Sequence, residues 1–209
     1  MNNEIIFNHY FCESRINNYQ TPEVYNAMSS LFVTLVPLCC GKPKNEYFKN
    51  VRYMLLMNGF FSCYYHYSLS WYGKHLDEVT MIFANYHGIK GLLKFYSIQY
   101  ESSTNVIHTC LVPIFIAFNT LPQYDFMFPH LFGLYVAYST YLIQDVAKVN
   151  NISKTVNGYL LVSAIGGSCW IISEWFCNEY TTYGHVLWHL LFPFGIYKIL
   201  LMYDSLLSA

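Results

Sequence analysis

Two short runs hold side chains that could do chemistry together. In Gly59-Phe-Phe-Ser-Cys-Tyr-Tyr-His66, Ser62 and His66 stand four residues apart, so on a helix they share one face. In His185-Val-Leu-Trp-His189, two imidazoles have the same spacing and aim at one point, where they can bind a single metal ion together. Asp77 and Glu78 follow the first run closely and add carboxylates. Three His with an open fourth position for water is the pattern of a catalytic zinc, whereas a fourth protein ligand would make the site structural. A single His in a helix is ordinarily a packing or hydrogen-bonding residue, and His9, His75, His87, His108 and His130 are read that way. The many tyrosines near the first run, among them Tyr64, Tyr65, Tyr67 and Tyr72, read as packing and interfacial anchors.

The elements that must position these groups follow from composition. Of 209 residues, 55% are hydrophobic and only 11% charged, against roughly 25% charged in a soluble domain. Seven spans of about 20 residues would use most of the chain and leave no room for a separate soluble domain, so residues 1–209 read as one domain. Apolar stretches fall at about 24–40, 53–73, 105–121, 126–144, 157–176 and 183–203. A poorer one near 78–97 carries Asn85, His87, Lys90 and Lys94. The expected fold is an all-α membrane protein, a bundle of seven transmembrane helices. Continuous rather than alternating apolar runs exclude a transmembrane β-barrel. The net charge of −1 speaks against a nucleic-acid partner, because phosphate binding needs clustered Lys and Arg.

Counting Lys and Arg by loop leaves only Arg15 and Lys74 on the side of the N-terminus and puts the other nine on the opposite side. The positive-inside rule then places the N-terminus in the lumen or outside the cell and the C-terminus in the cytosol. Residues 1–13 include no basic and apolar regions of a cleaved signal peptide. Depth agrees with a joint site. If the second span ends near Gly73, His66 lies about 10 Å down from that end, and if the last begins near Tyr183, His189 lies about 9 Å down. Five of the seven Cys lie within spans and read as small packing residues. Cys12 and Cys177 both fall on the lumenal side, where they are either two separate thiols or a pair allowed by an oxidising compartment.

Three blocks of this sequence together resemble the alkaline ceramidases, within a superfamily of seven-span hydrolases that also includes the adiponectin-receptor-like proteins. The first block is Phe11-Cys12-Glu13 followed by Glu23-Val-Tyr-Asn26. The second runs from Gly59 through Ser62 and His66 to Asp77-Glu78-Val-Thr-Met81, and the third is His185-Val-Leu-Trp-His189. The resemblance implies zinc on His66, His185 and His189, with Asp77 and Ser62 as catalytic partners beside the attacking water, and a disulfide between Cys12 and Cys177. It also implies that Trp188 and Tyr141 touch substrate. The expected activity is that of a zinc-dependent intramembrane amidase splitting ceramide into a sphingoid base and a fatty acid, in the endoplasmic reticulum or Golgi membrane. The alternatives are a related hydrolase acting on another lipid, and a seven-span receptor or lipid-binding protein with structural zinc.

The sequence departs from the family pattern in its N-terminal segment. Such ceramidases commonly bind calcium there, beginning with an Asp two residues before the Cys; here that position is Tyr10, and Arg15 stands near where an Asn ligand is expected. Glu13, Glu23 and a shifted Asn17 remain as candidate calcium ligands, a poor set for an ion that prefers six to eight hard oxygens. Thr80 replaces a Pro usual after the Asp-Glu pair, and Ser173 stands where an acidic residue is common before Cys177, with Glu174 adjacent.

Overall fold

A computed structural model describes residues 11–18, 22–121 and 127–208; His9 and Tyr10 lie outside these. Among the described residues the chain is all-helical, with no strand. A short helix α1 (Cys12–Ile16) precedes seven long ones: α2 (Val24–Cys39), α3 (Glu46–Ser68), α4 (Trp71–Leu92), α5 (Ile98–Thr120), α6 (Phe128–Val149), α7 (Ser153–Trp175) and α8 (Gly184–Leu207). Two of the long helices, over Ser153–Trp175 and Thr181–Leu207, are apolar and long enough to cross a membrane by composition alone, and α2 is a shorter apolar helix. The polar residues of α3 and α4 dilute their hydropathy, and those same residues include Ser62, His66 and Asp77.

Most of the weak stretch near 78–97 belongs to a full 22-residue helix, α4, which starts earlier than its apolar content suggests and ends at Leu92. The second apolar stretch does not run to Gly73. Leu69 takes the left-handed conformation (φ 47°) and caps α3, and the Ser70 side chain accepts from the Gly73 N–H to start α4. The run Tyr-Ser-Leu-Ser-Trp hides this turn because it contains no Gly or Pro. His66 is therefore two residues from the end of α3, in its last turn, rather than seven residues from a span end. His185 and His189 occupy the first two turns of α8, so the three imidazoles still share one layer at one end of the bundle.

Two glycines set the helix contacts that matter for this layer. A Cβ on Gly59 would collide with Thr34 and the Ser30 carbonyl, so α3 approaches α2 backbone to backbone one helical turn before Ser62. A Cβ on Gly184 would collide with the Cys169 carbonyl, so α8 begins hard against α7, next to His185. The apolar core lies largely toward the opposite end, around Phe48, Ile89, Leu142, Val156 and Tyr203. That end is tied by Asp204, whose carboxylate accepts from the Lys44 N–H at 2.8 Å and the Asn45 N–H at 2.6 Å. Asn45 in turn caps α3 by accepting from the Tyr47 N–H.

Candidate metal centre

His66, His185 and His189 are all buried, and each offers a ligand nitrogen within 4.8 Å of the other two. Their ring centroids lie 4.7 to 5.4 Å apart. The Nδ1 atoms have their own neighbours. His66 Nδ1 is 2.7 Å from Glu23 Oε2, and His189 Nδ1 is 2.8 Å from Ser29 Oγ. His185 Nδ1 is 3.8 Å from Glu174 Oε1, beyond hydrogen-bond range. With Nδ1 held in this way, the Nε2 atoms of His66 and His189 are left for a metal, the arrangement in which an outer carboxylate or hydroxyl fixes ring orientation and tautomer. Three buried imidazoles with ligand nitrogens converging on one point fit zinc.

Ser62 and Asp77 line the same cavity as the three imidazoles. Asn58 holds Asp77 from α3: its Nδ2 donates to Asp77 Oδ1 at 2.7 Å, to the Asp77 carbonyl at 3.0 Å and to Thr80 Oγ1 at 3.0 Å. One carboxylate oxygen is thereby anchored, and Asp77 is among the residues that line the cavity. Ser62 Oγ lies 3.1 Å from Ser30 Oγ, and Ser30 Oγ donates to the Asn26 carbonyl at 2.8 Å. Phe11 packs edge-on against His185 (4.5 Å) and tilted against His66 (5.1 Å), covering the site from outside. At the mouth of α4, Lys74 pairs with Glu78 at 3.3 Å.

Glu13 and Glu23, candidate calcium ligands in the sequence, both accept hydrogen bonds within the fold. The two Glu13 oxygens accept from the Tyr25 and Asn26 N–H groups at 2.8 and 2.9 Å, capping the start of α2. Glu23 accepts from Ser14 Oγ at 2.6 Å and from Asn26 Nδ2, besides facing His66. Asn17 is exposed at the end of α1. These oxygens are engaged in hydrogen bonds of the fold. Burial raises the Glu13 carboxyl above its ordinary range, against the pull of the two backbone donors. Burial acts the same way on Glu23, but the bonds from His66, Ser14 and Asn26 outweigh it and hold that carboxyl below its usual value. Cys12 and Cys177 are joined by a disulfide that ties α1 to the loop after α7.

The cavity holds about 780 Å³ and is mostly apolar. Along α3 its lining runs from His66 back to Phe48, 18 residues or about 27 Å of helix. Trp188 lines it beside the imidazoles, stacked on Phe192 at 4.0 Å. Tyr141 does not. On α6 the cavity face is made by Phe132, Val136, Ser139, Thr140 and Ile143, and Tyr141 lies off that face with 60% of its surface exposed.

The profile of the ceramidase family matches residues 8–209. This chain belongs to the ceramidase family. Among its relatives is alkaline ceramidase 1 of Mus musculus, 22% identical over 214 residues that cover 92% of this chain and 78% of the mouse protein. Helical spacing marks Ser62, His66, His185 and His189, the resemblance assigns Asp77, and all five line one cavity. Asn58, Ser29, Ser30 and Glu174 were not among the expected site residues. A signal for Asn58 was present, since 58, 62 and 66 step by four along one helix face. Nothing in the spacing marks Ser29, Ser30 or Glu174, which reach the site from other helices.

Proposed function

We propose that this protein is a zinc-dependent intramembrane amidase that hydrolyses the N-acyl bond of ceramide to a sphingoid base and a free fatty acid. Membership of the ceramidase family supports the reaction class, and the mouse relative's name supports ceramide as substrate. The observation that carries the proposal is the convergence of three buried imidazoles with Ser62 and Asp77 at the head of a long apolar cavity.

His66, His185 and His189 would hold the ion. Bound zinc supplies Lewis acidity, polarising a carbonyl and acidifying water. The Asp77 carboxylate takes a proton from the attacking water as the water oxygen bonds to the acyl carbon. Ser62 Oγ donates to the carbonyl oxygen as negative charge develops there. When the C–N bond breaks, Asp77 returns the proton to the departing amine. Trp188 and the apolar lining hold the hydrocarbon chains and keep bulk water from the reacting groups.

We read residues 1–209 as one domain with α2 to α8 as seven spans, the N-terminus lumenal or external and the C-terminus cytosolic. The exclusion of nine of the eleven Lys and Arg from the histidine end supports this orientation. So does a disulfide beside the site, which belongs in an oxidising compartment. Both fit an endoplasmic reticulum or Golgi membrane. Stripping the purified protein of metal with a zinc chelator should abolish fatty-acid release from ceramide, and one equivalent of zinc should restore it. Full activity in a preparation proved free of metal would overturn the proposal.

A further inference from the structure

We infer that Arg15 and Glu174 are a positioning pair for His185, and that the N-terminal segment sets the metal affinity of the site through them. The inference rests on the zinc site proposed above. Two of the three imidazoles have an Nδ1 partner within hydrogen-bond distance, Glu23 for His66 and Ser29 for His189. His185 Nδ1 is buried and makes no hydrogen bond, and the carboxylate that faces it is Glu174, 3.8 Å away. A ligating imidazole needs its second nitrogen held if the ring is to stay aimed, so Glu174 is the group available to do for His185 what Glu23 does for His66.

Glu174 is not free to turn. Arg15 Nη2 donates to Glu174 Oε2 at 2.8 Å and to the Glu174 carbonyl at 2.9 Å, gripping the residue by side chain and backbone together. The Cys12 N–H donates to Oε1 at 3.3 Å, the same oxygen that faces His185. With Oε2 taken by the guanidinium, Oε1 is directed at the imidazole. The donors come from residues 12 and 15 on α1, 159 or more positions away in sequence, and the Cys12–Cys177 disulfide holds that helix in place from the side. Phe11, the residue before them, covers the His66 and His185 rings. Arg15 therefore acts on the metal site through Glu174, touching neither the ion's ligands nor the cavity.

The test is zinc affinity, measured by chelator competition on purified protein in detergent, for the wild type, Arg15→Gln, Glu174→Gln and the double variant. Outer partners of this kind are worth about 10-fold in metal affinity or more, so each single substitution should weaken zinc binding about 10-fold. Because Arg15 works through Glu174, the double variant should be no weaker than Glu174→Gln alone, and Arg15→Lys should recover most of the loss. Cobalt-substituted protein should show an altered visible spectrum in Glu174→Gln. Unchanged affinity in either single variant, or losses that multiply in the double, would overturn the pairing. Ceramide turnover by the wild type at saturating zinc separates the two readings: turnover with unaltered variant affinities sinks only this inference, and shifted affinities without turnover sink only the proposed substrate. A wild-type chain that binds no zinc would sink both.

Discussion

At Asp77 the proposed chemistry depends on one carboxylate oxygen being fixed. Asn58 supplies the fixing, and the same amide ties α3 to α4 at the level of the site. Asp77→Asn should lower kcat by about 10² to 10⁴ while zinc stoichiometry stays at one per chain. Loss of the zinc in that variant would make Asp77 structural instead. Ser62→Ala should cost about 10² in kcat with little change in KM, since its hydrogen bond strengthens only as charge develops on the substrate. Ser62 was legible beside His66 because helical spacing of four is a geometric statement about a shared face, whereas Asp77, on α4, was expected from the family resemblance. The partners of the imidazoles were not legible for the converse reason. Ser29 and Glu174 come from α2 and α7, and only packing brings those helices to α8. In sequence Glu23 is a candidate calcium ligand, and its partner, His66, is 43 residues away.

Among the elements, α8 is the most demanding to place, because its first two turns carry two of the three imidazoles. Its start is set by Gly184 against the Cys169 carbonyl, where even a methyl group must push the helices apart. Gly184→Ala should therefore destabilise the protein by about 1–3 kcal/mol, the usual cost of overpacking, read as a lowered Tm in detergent. It should weaken zinc binding in the same preparation; a variant with unaltered Tm and zinc content would show that α7 and α8 can part without disturbing the site. The disulfide closes a loop of 165 residues, and Cys177→Ser should lower thermal stability by about 2–4 kcal/mol, an effect that reducing agent should reproduce on the wild type. The positions of the long helices were readable from continuous apolar runs. The turn at Leu69 and Ser70 was not, since a positive φ at a leucine and a serine cap leave no break in hydropathy.

Over the whole molecule, polar chemistry is gathered at one end and apolar packing at the other, with the cavity running between them. That layout suits a substrate with a polar reacting group and long hydrocarbon chains, and it explains why hydropathy alone understates α3 and α4. In the N-terminal segment Glu13 caps α2, Glu23 holds His66, and Arg15 pairs with Glu174. The decisive measurement is fatty-acid release from a panel of ceramides and phospholipids by the purified protein, with His185→Ala beside it and calcium either present or chelated. Release from ceramides alone, absent in His185→Ala and unaltered by calcium chelation, is the predicted result. Release from phospholipids instead, or none from any lipid with one zinc still bound per chain, would contradict it.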